Sequence, residues 1–262
     1  MPWAMDATRH SSSGPSGRLR ALCLALLSPL LCAWRPYETL DGPVTPTGQM
    51  AIEWGAMHLH IRQPSLSLAA PHLLLRLGVT PKLELGLRGQ YLHSIGDGAA
   101  PWRSDTARGT VGVYGKWELI TGGTGPSVWQ RPAISILGGV NFLSVESVWG
   151  LELRAASSLC IGPVLTHMNI GFEHNGRSGV IVGAVVAVPL PFGLTPAVEA
   201  SGVVRFSPTP SQGSVMLSLT QTLGSLPFVL DLGVRRGLTA STPDWSVLLG
   251  VTMRMKLWRP PL

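Results

Sequence analysis

The sequence reads as all-β, a transmembrane antiparallel β-barrel of about twelve strands and of the outer-membrane type. Three observations lead there. Charged residues are 13% of the 262 residues and hydrophobic ones 45%. That is about half the charge of an ordinary soluble domain, yet no apolar run is long enough for a membrane helix. The 31 glycines and 22 prolines weaken helices and punctuate the chain with turns. Finally, alternating segments of about ten residues recur, close to the length with which a tilted strand crosses a bilayer.

Alternation is clearest at the C-terminal end. Trp245, Val247, Leu249, Val251, Met253, Met255 and Leu257 share one parity, while Ser246, Gly250, Thr252, Arg254 and Lys256 share the other, with Leu248 as the exception. Successive side chains of a strand point to opposite faces, so this strand has one apolar face and one small or charged face. Phe228, Leu230, Leu232 and Val234 repeat the pattern against Asp231, Gly233 and Arg235, and 237–244 is a polar loop between the two strands.

The N-terminus, residues 1–33, reads as a secretory signal with an extended polar leader. Arg18 and Arg20 precede the apolar stretch Ala21–Trp34, which is too short to span and is interrupted by Ser28-Pro29. Cleavage is expected near Ala33, and Pro29-Leu30-Leu31 before Cys32 is a poor lipidation signal. Cys23 and Cys32 lie in that segment, leaving Cys160 alone, so neither an intrachain disulfide nor a zinc framework is expected. Removing Arg9, Arg18, Arg20 and Asp6 lowers the net charge from +6 to +4. So small an excess, without a basic cluster, argues against nucleic acid as a partner.

The remainder, 34–262, reads as one barrel. Trp34–Thr47 is an irregular lead-in on the periplasmic side. Gly48–Arg62 is a first strand with imperfect alternation, and after Pro64 a second runs to Val79 with a bulge or bend at Pro71. After the tight turn Thr80-Pro81-Lys82, the third strand sets Leu83, Leu85 and Leu87 against Glu84, Arg88 and Gln90. The fourth sets Val111, Val113, Trp117 and Leu119 against Arg108, Tyr114, Lys116 and Glu118. Further strands follow at 132–142, 149–159, 164–173, 179–188, 197–206 and 214–222. The strand at 179–188 is apolar on both parities, so its register is open. Short connections fall on one side and longer polar ones on the other, as in bacterial barrels, except for the long 120–131 connection. Tryptophans 54, 117, 149, 245 and 258 fall near strand ends, where interfacial rings sit well.

If the polar parity faces inward, the lumen collects Glu84, Arg88, Arg108, Lys116, Glu118, Glu152, Arg154, Glu173, Glu199, Arg205, Asp231, Arg235, Arg254 and Lys256. Such a mixed lining either orients solutes in a pore or fills the interior as a self-neutralising ladder. Eight strands are just filled by side chains and sixteen leave a channel, so twelve lie between these limits. Leu137, Gly139, Ile181 and Val185 give part of the wall an apolar character. His58 and His60 share a strand face without a third ligand, so no metal site and no cofactor is expected. His93, Asp97, Asp105, His174 and Ser178 lie near one set of loops, with no spacing that singles out a catalytic set; the chain is not expected to be an enzyme.

Gly237-Leu238 and Pro243-Asp244-Trp245 of the last hairpin, Arg35-Pro36 through Gly48-Gln49, and Gly78–Leu85 (GVTPKLEL) carry a resemblance. They resemble the closing hairpin, mature N-terminus and first tight turn of an outer-membrane transporter family associated with phenol-degradation (meta-pathway) proteins. The chain departs from the usual aromatic terminus of such barrels, since Arg259-Pro260-Pro261-Leu262 follows Trp258. The resemblance implies transport of small, hydrophobic or aromatic molecules. The resulting expectation is a Gram-negative outer-membrane channel that passes small solutes passively, with outer-membrane lipid and the barrel-assembly machinery as its other partners. A barrel-borne surface enzyme acting on lipid or peptide, and a barrel with only a structural role, stay open as alternatives.

Overall fold

The computed structural model describes residues 41–62, 65–95, 108–122, 132–143, 148–206, 210–224 and 226–258. The signal segment, half of the lead-in, Asp97 and Asp105 lie outside them. Twelve strands close into one antiparallel barrel in which each pairs with its chain neighbours and the last pairs with the first. They are β1 (Gln49–Arg62), β2 (Ser65–Thr80), β3 (Leu83–Ile95), β4 (Arg108–Ile120), β5 (Ala133–Leu143) and β6 (Val148–Ile161), then β7 (Val164–His174), β8 (Ser178–Ala187), β9 (Leu194–Arg205), β10 (Gln212–Thr222), β11 (Phe228–Gly237) and β12 (Trp245–Lys256). Among the described residues the only helical piece is a 3-10 turn at Pro191–Gly193.

Closure solves the problem of an exposed sheet edge: β1 and β12 pair from Gln49↔Lys256 to Ile61↔Trp245, so neither is left with unpaired backbone groups. Strands run from 10 to 16 residues. At about 3.3 Å per residue and a tilt of about 40°, thirteen residues rise about 33 Å, enough to cover an apolar band of about 25 Å.

The alternation seen in the sequence is the alternation of the wall. On β7, Leu165, His167, Asn169 and Glu173 are buried, while Met168, Ile170 and Phe172 are exposed. On β11, Val229, Asp231 and Arg235 are buried, while Leu230, Leu232 and Val234 are exposed. The molecule is therefore turned inside out relative to a soluble barrel, with apolar groups outside and charged groups inside. The register of β8, open from sequence, is settled: Ile181, Val185 and Ala187 face inward, and Val182 and Val186 outward. The imperfect alternation of β1 coincides with a bulge between Gly55 and Met57, which shifts its pairing with β12 by one residue. The bend expected around Pro71 coincides with a register shift between Ala69 and His72.

Trp117 and Trp258 lie toward the end of the barrel that holds β1's start and β12's finish, and Trp149 and Trp245 lie toward the other. Trp54 differs from expectation, since it sits near the middle of β1 and pairs with Leu73 and Val251. The connections at the first end are 81–82, 121–132, 162–163, 188–193 and 223–227, so the long 121–132 connection is again the exception there.

Candidate functional site: the charged lumen and its resident segment

Inward glycines make room for large inward side chains on neighbouring strands. A Cβ on Gly86 would overlap the Tyr114 ring, and one on Gly171 would come within 2.6 Å of Arg154 Cγ. Tyr114 therefore lies across Gly86, and its hydroxyl donates to Glu84 Oε1 at 3.1 Å.

The lumen residues fall into three groups. The first surrounds Arg76, at the end of the barrel nearest Gln49. Arg76 donates from Nε and Nη2 to the two oxygens of Glu84, at 3.1 and 2.9 Å. It also reaches Glu53 Oε1 at 3.3 Å and Asp41 Oδ1 at 3.2 Å. The Lys116 ammonium donates to the same Asp41 oxygen at 2.9 Å and to the Pro43 carbonyl at 2.6 Å. All these charges are buried. Such a cluster persists only because each charge is matched and hydrogen-bonded, since an isolated buried charge is very costly.

Asp41, Pro43 and their neighbours belong to the lead-in, expected from the sequence as an irregular stretch on the periplasmic side. Instead, 41–45 runs into the barrel end and is held by side chains of four strands. Gly42 N–H donates to Ser158 Oγ of β6 at 2.6 Å, and Val44 N–H to Glu118 Oε2 of β4 at 3.3 Å. Thr45 donates both its N–H and its hydroxyl to Glu84 Oε2 of β3, each at 2.7 Å. Arg76 of β2 and Lys116 of β4 take Asp41. Ser158 Oγ, which accepts from Gly42, also hydrogen-bonds His167 Nδ1, 2.5 Å away. The segment then leaves through a turn in which Gln49 N–H donates to Pro46 O, and Gly48 N–H donates to Gly78 O.

A second group lies higher in the lumen. Arg88 bonds Asn141 Oδ1 and pairs with Glu152, and Arg154 pairs with Glu152 at 2.5 Å. Arg205 pairs with Glu173 at 2.6 Å. The third group occupies the opposite wall, where Glu199, Asp231 and Arg235 are buried, Arg254 is half-buried and Thr220 Oγ1 donates to Asp231 Oδ1 at 2.9 Å. Arg108 stands on β4 with the parity of Gly112 and Lys116, and its side chain lies outside the described residues. Lys256 is exposed at the end of β12.

Arg76, Glu53 and Asp41 were missed in the sequence. Arg76 hides in the apolar run LLLRLGV of β2. The parity set by Leu73, Leu75 and Leu77 could have found it. Asp41 carries no periodic signal at all.

An apolar core patch, Leu74, Tyr114 and Leu137, lies among these charges. A separate concavity of about 950 Å³ lies on the outside of the wall. Among the described residues it is lined by outward side chains such as Leu87, Val113, Val140, Leu153 and Phe172, over the paired Gly115 and Gly138. Of the loop residues considered for chemistry, His174 Nδ1 and Ser178 Oγ are 2.9 Å apart on an exposed hairpin, and the side chain of His93 is not among those described. No metal-binding group of three or more ligands occurs among the described residues.

No protein-family model matches the chain, and no curated protein matches it by sequence. Solved structures do match. An outer-membrane channel from Pseudomonas putida F1 superposes with a TM-score of 0.57 at 10% identity, over 85% of this chain and 100% of that one. The KdgM porin superposes with a TM-score of 0.55 at 8% identity, over 78% of this chain and 98% of that one. The likeness is one of fold, and the fold is a closed antiparallel barrel of the outer-membrane type.

Proposed function

We propose that the chain is an outer-membrane channel through which small molecules cross passively, after removal of the signal segment 1–33. The observation that carries this reading is the inverted wall, apolar outside and charged within, on a closed twelve-stranded ladder. The architecture it shares with an outer-membrane channel and a porin supports it. The resemblance of the last hairpin to a phenol-degradation-associated transporter family adds hydrophobic or aromatic molecules as the solute class. In this reading Glu84, Arg88, Lys116, Glu152 and Arg235 line the solute path, and the segment 41–45 narrows it at one end.

A second reading is a structural barrel with a filled interior. It draws on the near-complete burial of Glu84, Lys116, Glu199, Met216 and Leu248. Single-channel recording in planar bilayers separates the two, using protein purified from outer membranes whose heat-modifiable gel mobility shows it folded. Discrete conductance steps support the channel. Folded protein that never gives steps supports the structural barrel.

A further inference from the structure

The two hydrogen bonds of Lys116 described above end on the resident segment, at Asp41 Oδ1 and Pro43 O. Lys116 is 2% exposed. Its cross-strand neighbour Glu84 accepts from Arg76 and Tyr114, and from Thr45 of the segment itself. When the segment moves away, a buried ammonium loses both of these bonds, and Arg76 loses one of its three carboxylates. The place that Asp41 leaves, between two cations with donors to spare, fits another carboxylate. The ground beside it is apolar: Leu137 is directly opposite Lys116 in the β4–β5 register, and it clusters with Leu74 and Tyr114. The segment matches this environment, since it brings a carboxylate at Asp41 and a buried apolar side chain at Val44.

We infer that Lys116 and Arg76 form a carboxylate-binding site in the lumen, occupied in this structure by Asp41 as an internal ligand, and that a small monocarboxylate with an apolar body competes for it. This deepens the channel reading and rests on it for its physiological meaning, because displacing Asp41 loosens the segment that narrows the path. Glu53, Glu84 and Glu118 stand near the site. They do not bar a solute, since the same surroundings already hold the carboxylate of Asp41.

The test uses benzoate as the probe and benzamide as its uncharged control, with the full protein in detergent and isothermal titration calorimetry as the readout. Wild type should bind benzoate weakly and saturably and leave benzamide unbound. An internal competitor lowers apparent affinity by the fraction of time that it holds the site, so Asp41→Asn should bind benzoate about tenfold more tightly. Lys116→Gln should abolish binding. A second variant, Gly42→Ala, keeps every charge and crowds the segment against backbone atoms of Ala133 and Ser158, at 2.7 and 2.9 Å. It should also tighten benzoate binding, which keeps the test decisive if Asp41→Asn fails to assemble. Benzoate affinity unchanged in the variants that fold, or equal for benzamide, overturns the site. Bilayer recordings judge the channel separately: conductance without the benzoate pattern refutes the site alone, and the benzoate pattern without conductance supports the site and refutes the channel.

Discussion

Arg76 and Glu84 face each other across the first tight turn as a two-pronged ion pair, with the guanidinium Nε and Nη2 on the two carboxylate oxygens at 3.1 and 2.9 Å. The fork geometry matches guanidinium to carboxylate, and both groups are buried. Removing one partner of such a pair leaves an unmatched buried charge. Arg76→Met should therefore cost about 3–5 kcal/mol of unfolding free energy. Arg88 also pairs with a carboxylate, but its side chain is 27% exposed against 4% for Arg76, and Glu152 keeps Arg154 when Arg88 is lost. Arg88→Met should cost about 1 kcal/mol or less. Urea midpoints of both variants in lipid vesicles give the comparison, and equal losses would contradict the burial argument.

Two glycines that look alike in sequence should behave oppositely. Gly86→Ala places a methyl in the Tyr114 ring, whereas Gly138 has nothing within 4 Å of a new Cβ. The first should destabilise by about 1–3 kcal/mol as overpacking, and Gly138→Ala should be neutral or slightly stabilising. Adding Gly86→Ala to Tyr114→Ala should cost little more, because the ring it displaces is already gone. The double-mutant cycle measured by urea unfolding decides.

Equal exposure means different things at different heights on this wall. Ile170, in the middle of β7, is 59% exposed, and Leu238, in the loop after β11, is 64% exposed. In a water-soluble barrel an arginine would be tolerated at both. In a bilayer, Ile170→Arg should cost about 2–4 kcal/mol, and Leu238→Arg should stay within about 0.5 kcal/mol. Unfolding from vesicles that shows no difference would remove the membrane reading.

Gly42 is pressed against main-chain atoms of β5 and β6, which cannot step aside as a flexible side chain would. Gly42→Val should thus expel the segment while leaving the ladder intact. The expected outcome is unchanged heat-modifiable mobility with faster proteolytic cleavage between 41 and 47 and larger conductance steps. Cleavage at the wild-type rate would show that the segment tolerates the side chain.

Much of the fold could be read from parity alone, because a period of two fixes which side chains face lipid on most strands; β8 is an exception. There Val180, Ile181 and Val182 give both faces the same chemistry, and only the pairing with β7 and β9 decides. The site was less accessible for a geometric reason. Parity says that Glu84, Lys116 and Glu118 point inward but not which charges meet, since height and position around the barrel depend on register. Glu53 was hidden further by the bulge after Gly55, which shifts the register halfway along β1. Asp41 stands in a Pro-rich stretch without period, and its place is set by Arg76, Lys116 and Ser158, residues 35, 75 and 117 positions away; only the folded chain brings these together.

The resident segment also constrains the order of assembly. Its holding groups come from β2, β3, β4 and β6, all in the first half of the chain, whereas the barrel is sealed by β12 meeting β1. An open sheet of β1 to β6 already holds every one of those groups, so Asp41 can be seated while the seam is still apart. After sealing, the same strand would have to thread a narrow end past buried charges. The barrel is in this respect able to close around a segment that its first half has already seated.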